Sequence, residues 1–81
     1  MNVRVLLFAV AREIAGTAVV EFDAPQPATV ADVRDLLTAK CPELGDIVMR
    51  SAFAVDGRYA VPSQPVGVGA EVALIPPVSG G

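Results

Sequence analysis

Histidine is absent from this 81-residue chain, and cysteine occurs once, as Cys41. The first absence excludes histidine-based triads and histidine metal sites. The second excludes disulfide frameworks and cysteine clusters, and it suits a reducing compartment. Charge is scarce as well. Only 19% of the residues are charged, six basic against nine acidic, for a net charge of -3. With a pI near 4.6, the chain lacks the basic face expected of a nucleic-acid or acidic-membrane binder. No apolar run approaches the ~20 residues that span a bilayer. The apolar start, Val3 to Val10, is broken by Arg4 and closed by Arg12-Glu13, unlike a secretory signal. A cytoplasmic protein with no membrane and no nucleic-acid partner is therefore expected.

What the chain has is apolar mass. Hydrophobic residues make up 53% of it, and the mean hydropathy is +0.56. That excludes disorder as the main state. At this length one domain is expected, burying roughly 60–65% of the surface its unfolded chain exposes. Some apolar surface is left over for a partner.

Residues 2–10 read as a strand, with Val3, Val5 and Leu7 on one face and Arg4, Leu6 and Phe8 on the other. Apolar on nearly both faces, it should lie inside its sheet. Ala11 to Ala15 allows one helical turn, stopped by Gly16. Thr17 to Asp23 reads as a second strand, too closely connected to the first for anything but an antiparallel hairpin. Thr29 with Asp32 resembles a capping box, and Val30, Val33 and Leu37 give the apolar stripe of a helix over about 30–40. Pro42 stops it. Residues 43–50 stay ambiguous, because Leu44, Ile47 and Val48 have helical spacing while Gly45 weakens it. Asp56-Gly57 predicts a hairpin turn between strands at 52–55 and 58–61. Residues 63–70 read as a Pro- and Gly-rich loop, 71–75 as the final strand, and Pro76-Pro77 ends it. The order β-β-α-β-β-β predicts an α+β fold, a mixed sheet of about five strands with one main helix packed on one face.

No enzyme site assembles from these residues. The carboxylate pairs Asp32/Asp35 and Glu43/Asp46 read as solvated surface. Gly67-Val68-Gly69 lacks the helix that a phosphate loop needs. Cys41 has no histidine to activate it and reads as a half-buried structural thiol.

The exception is the end of the sequence, Pro76-Pro77-Val78-Ser79-Gly80-Gly81. At a background of ~7% glycine, two terminal glycines arise by chance in roughly one chain in 200. Pro76-Pro77 favours an extended path and lowers the entropy lost when the segment is gripped. Six extended residues reach ~20 Å. Gly80 and Gly81 have no Cβ, so a narrow channel can enclose their backbone. Gly81 carries an α-carboxylate, a poor electrophile that becomes an acyl donor once adenylated. Attack by sulfur then leaves a thiocarboxylate, a nucleophile held on a tether in a partner's pocket.

Leu74-Ile75-Pro76-Pro77-Val78-Ser79-Gly80-Gly81, preceded by Glu71-Val72-Ala73, resembles the C-terminus of the molybdopterin synthase small subunit family. Val5-Leu6-Leu7-Phe8-Ala9, Ala11-Arg12-Glu13, Gly16-Thr17 and Thr29-Val30 resemble its opening strand, turn and helix start. The resemblance spans essentially the whole chain and implies a ubiquitin-like β-grasp fold over residues 1–75 with a flexible Gly-Gly tail at 76–81. It implies a sulfur carrier that is not catalytic alone and binds no cofactor. An ATP-dependent activating enzyme adenylates Gly81, and a sulfurtransferase is the sulfur source. The tail, with Gly80 next to the reacting group, enters the large subunit of a heterotetramer and gives sulfur to a cyclic pyranopterin. Two deliveries build the dithiolene that holds molybdenum. Phe8, Tyr59 and Ile75 fall at the family's apolar partner contacts, Arg12 at a charged contact to the activating enzyme, and Pro76, Pro77, Val78 and Ser79 along the gripped tail. Strand packing is the competing role for Phe8 and Ile75, and more so for Tyr59. Val68-Gly69-Ala70 departs from the family's acidic Asp-Gly-Asp, and Asp56 replaces a common Asn. The alternatives are a carrier for thiamine or cysteine synthesis, a ubiquitin-like protein modifier, and an interaction module with an inert tail.

Overall fold

Alternation of Val3, Val5 and Leu7 with Asn2, Arg4 and Leu6 commits the first segment to one buried and one outward face. In the computed structural model, which describes residues 1–77, it forms strand β1 (Asn2–Leu7), with all three odd-numbered side chains in the core. The strand stops three residues short of the expected Val10. Phe8 is still extended, but Ala9 takes a left-handed φ of 49° and turns the chain into helix α1 (Ala9–Ala15). Ala9, Ala11 and Ala15 favour helix, and Ala11 packs fully into the core. Gly16 ends the helix at φ 73°, its N–H donating to the Arg12 carbonyl, as its sequence position suggested.

Strand β2 (Val19–Asp23) returns antiparallel to β1. It begins two residues later than expected, because the Thr17 hydroxyl bonds the Val19 backbone and holds a turn there. The two-residue strand β3 (Ala28–Thr29) leads into α2 (Val30–Lys40), which has the bounds the sequence predicts. Its capping box is complete: the Asp32 N–H donates to Thr29 Oγ1 at 3.3 Å, and the Thr29 N–H donates to Asp32 Oδ2 at 2.9 Å. Val30, Val33 and Leu37 are buried. The ambiguous stretch is a 3-10 turn (Pro42–Leu44) followed by α3 (Gly45–Arg50), which buries Leu44, Ile47 and Val48. Gly45 opens this helix rather than interrupting it. As expected, α2 is the main helix, and the two shorter helices α1 and α3 join it.

Strands β4 (Ala52–Val55) and β5 (Arg58–Ala60) form the predicted hairpin. Asp56 and Gly57 both have positive φ, at 51° and 81°, as the tight turn requires. Asp56 also clasps the approach to the last strand. Its N–H donates to the Glu71 carbonyl at 2.8 Å, and its Oδ1 accepts from the Glu71 N–H at 2.9 Å. The expected loop at 63–70 contains β6 (Pro65–Val66), paired with β3 in a small separate ladder. Strand β7 (Val72–Ile75) lies between β1 and β4, parallel to the first and antiparallel to the second. The main sheet is therefore mixed and five-stranded, in the order β2-β1-β7-β4-β5. Its core contains no buried polar or charged residue among those described. Of the expected 76–81 tail, Pro76 and Pro77 are described; residues 78–81 lie outside the described residues.

Two substitutions check this account by urea denaturation. Thr29→Ala removes the cap and should cost about 1 kcal/mol. Leu37→Ala empties a fully buried site and should cost about 3 kcal/mol.

Candidate functional site at the outer sheet face

Strand parity divides the sheet. Val72 and Leu74 of β7, and Phe53 and Val55 of β4, face the core with Val3, Val5 and Leu7. Ala73, Ile75, Ala52 and Ala54 therefore face away from it, with Leu6 and, opposite Ala54, Tyr59. Small alanines beneath larger neighbours leave a shallow hollow of about 270 Å³, lined by Phe8, Ala54, Gly57, Tyr59, Glu71, Ala73 and Ile75. Three of the residues singled out from the sequence thus converge on one surface.

Their exposure bears on the core-packing role. Tyr59 is 76% exposed and Phe8 48%, so neither is a core residue. The strand-packing role of Tyr59 is overturned, because its strand position turns it to the outer face. Phe8 is outward because Ala9 breaks the strand directly after it; a continuous strand would have carried Val10 on over the same face. Ile75 is half-buried and follows Leu74, which pairs with Leu7. The last residue of β7 therefore sits beside Phe8, and the chain leaves the sheet at the rim of the hollow through a half-buried Pro76 and an exposed Pro77.

Arg12 is exposed, but it lies apart, lining a separate open depression with Ala9, Glu13, Gly16 and Thr17. Val78, Ser79, Gly80 and Gly81 lie outside the described residues. Glu71, Ala73, Ala54 and Gly57 were not singled out from the sequence. The signal for the two alanines was there: each sits between large apolar residues in a strand, at the parity that points outward.

Among the described residues, the polar groups offer no competing centre. Asp32 is occupied by the α2 cap, and Asp35 accepts from Arg34 Nε at 3.4 Å. No group of three or more metal-ligating side chains occurs among the described residues. Among the same residues, no helix is long and apolar enough to cross a membrane.

Cys41 caps the end of α2, half-buried. Burial chiefly, and Glu43 next, push its thiol pKa up against the opposing pull of Lys40. A raised pKa leaves less thiolate at neutral pH. Alkylation by iodoacetamide at pH 7.5 (~10 °C) should thus run slower than for a free cysteine peptide; a faster rate would contradict the assigned surroundings.

This arrangement has close counterparts. The sequence pattern of the ThiS family matches residues 5–81. The chain is similar to the molybdopterin synthase sulfur carrier subunit of Chlamydomonas reinhardtii, 35% identical over 83 residues that cover 100% of both chains. It is also similar to small archaeal modifier protein 1 of Haloferax volcanii, 35% identical over 83 residues covering 93% of this chain and 95% of that protein. The crystal structure of that archaeal protein, SAMP1, superposes with a TM-score of 0.89 at 31% identity, covering 100% of both chains. The fold is accordingly the ubiquitin-like β-grasp that the sequence resemblance implied. On matches that span nearly its whole length, the chain belongs to the ThiS family.

Proposed function

We propose that this chain is the sulfur-carrier subunit of a molybdopterin synthase, acting in the cytoplasm through the carboxylate of Gly81. The observation that carries the reading is the exit of β7 at the rim of an exposed apolar hollow. The hollow and the exit of the chain through Pro76 and Pro77 then share one end of the molecule. The likeness to the Chlamydomonas sulfur carrier subunit supports it.

The chemistry proceeds by acyl activation. In an ATP-dependent activating enzyme, a Gly81 carboxylate oxygen attacks the α-phosphorus of ATP and pyrophosphate leaves. The outer sulfur of a sulfurtransferase persulfide attacks the acyl carbon and AMP leaves; a thiol then cleaves the acyl disulfide, leaving the thiocarboxylate on Gly81 and a disulfide on the donor side. Phe8, Tyr59 and Ile75 then dock on the synthase large subunit, and Pro76 to Ser79 thread towards its pocket. Gly80 keeps the approach narrow; the thiocarboxylate sulfur displaces an oxygen from a carbon of the cyclic pyranopterin precursor, and water then cleaves the resulting thioester, leaving the sulfur on the pterin and restoring the Gly81 carboxylate. Binding the body while the terminus reacts turns a bimolecular encounter into an intramolecular one. Arg12 supplies a charged contact to the activating enzyme. This chain binds no cofactor itself.

A second reading, a ubiquitin-like protein modifier, is favoured by the 35% identity to small archaeal modifier protein 1. It uses the same hollow and the same terminus but passes the acyl group to a lysine. Intact-protein mass spectrometry on material from native cells separates the two. A sulfur-for-oxygen mass gain at Gly81 is expected for a carrier, lysine adducts of other proteins for a modifier. An unaltered terminus under all conditions would sink both.

Two variants test the assignment of parts. Removing Gly81 should abolish sulfur transfer in a reconstituted synthase and leave the thermal unfolding curve unchanged, since the core lies within residues 3–74. Phe8→Ala should weaken large-subunit binding tenfold or more while shifting stability by less than about 1 kcal/mol, as a half-exposed side chain should. The reverse pattern would return Phe8 to the core.

A further inference from the structure

Strand β2 is an edge of the main sheet, and a free strand edge is a template for pairing with another chain. Its backbone polarity can be read from the register. The Leu7 N–H donates to the Ala18 carbonyl at 2.8 Å, and the Ala24 N–H donates to the Met1 carbonyl at 2.8 Å. These bonds fix Ala18, Val20, Phe22 and Ala24 as the residues whose backbone groups turn towards β1. Val19, Glu21 and Asp23 turn theirs outward, to the open edge.

Side chains occupy those outward groups. The Thr17 hydroxyl donates to the Val19 carbonyl at 3.0 Å and accepts from the Val19 N–H at 3.3 Å. Lys40, at the end of α2, reaches across and donates from Nζ to the Glu21 carbonyl at 2.6 Å. Lys40 is the only lysine in the chain. Both outward groups of Val19 and the outward carbonyl of Glu21 are thus satisfied within the monomer. Among the described residues, nothing occupies the Glu21 N–H or the outward groups of Asp23, which are left to an incoming strand. A second copy pairing antiparallel about Glu21 would also bring two Glu21 carboxylates face to face, a destabilising contact.

We infer that Thr17 and Lys40 close the β2 edge against a second copy of this chain and so hold the molecule as a monomer at that edge. The latent pairing partner is β2 itself, because a five-residue strand with one free side suffices for a two-fold antiparallel ladder. The inference does not depend on the terminus or on the assigned sulfur chemistry.

The double variant Thr17→Val, Lys40→Met removes both closures. The pair Thr17→Ser, Lys40→Arg keeps a hydroxyl and a cation in place. Each is followed by light scattering across a concentration series at high salt, which screens the Glu21 pair, and by amide hydrogen exchange. Wild type and the conservative pair should keep the one-chain mass of 8.3 kDa. The double variant should rise towards twice that mass, with exchange at Glu21 and Asp23 slowed at least tenfold. Circular dichroism checks that it is folded; if it is not, Lys40→Met alone, a change at an exposed side chain, carries the same expectation. A folded variant that keeps the one-chain mass overturns the inference. So does a dimer whose Glu21 and Asp23 amides still exchange freely, or a wild type already paired through β2.

Discussion

The parallel pairing of β7 with β1 is the constraint on which the remaining architecture depends. It places the last strand between β1 and β4, with backbone bonds on both sides and Val72 and Leu74 fully buried. An edge strand that ended in a gripped segment could be peeled away one bond at a time. A strand inside the sheet can leave only with its neighbours, so load on its end is shared by the whole core. The same register sets Ile75 beside Phe8 and brings the chain out at the hollow. Anchoring and presentation thus follow from a single strand pairing.

How much of this could be read from the sequence depended on how local its cause was. Helix α2 was legible to the residue because its determinants lie within it: the Thr29–Asp32 cap, and the spacing of Val30, Val33 and Leu37. The β4–β5 turn was legible because Asp56-Gly57 meets a dihedral requirement few other pairs meet. The end of β1 was not. Phe8, Ala9 and Val10 continue an apolar run, and the helix propensity of the alanines leads to helix there only together with the burial of Ala11 against distant elements. The β3–β6 ladder was hidden for the same reason, since two residues pair across more than thirty positions of chain inside a Pro- and Gly-rich segment. For the site, Phe8 and Ile75 were identified by resemblance to a family, and the final Gly-Gly by its composition. The outward aim of Tyr59 needed the β4 register, because an aromatic in a strand ordinarily packs inward.

The outer face divides into an apolar and a polar half. Its apolar half, around Ala54, Ala73, Ile75 and Phe8, lies at the end where the chain exits. Its polar half is laid down where β1 and β2 begin and end. There Glu21 accepts from Asn2 Nδ2 at 3.2 Å and sits 3.5 Å from Arg4 Nε. Such exposed pairs add little to stability, but they keep that half of the face wet. The apolar patch is thereby confined to the part of the surface that the proposed partners must cover.

The energetics of the proposed cycle explain why a hollow is needed at all. Fixing one residue's backbone costs roughly 1–2 kcal/mol, so ordering six residues in a pocket costs on the order of 6–12 kcal/mol. Pro76 and Pro77, with φ already restricted, reduce the first part of that cost. Gly80 and Gly81 increase the last part, since glycine loses the most freedom. The end that must be narrowest is therefore the end that is hardest to hold. Contacts there cannot supply the difference, because glycine has no side chain to bury. The offset has to come from a surface remote from the reacting atom, and the proposed cycle assigns that part to Phe8, Tyr59 and Ile75. It must also be moderate in size, because a carrier that serves an activating enzyme and then a synthase has to leave the first to reach the second. A shallow hollow floored by alanines meets both conditions better than a deep pocket would.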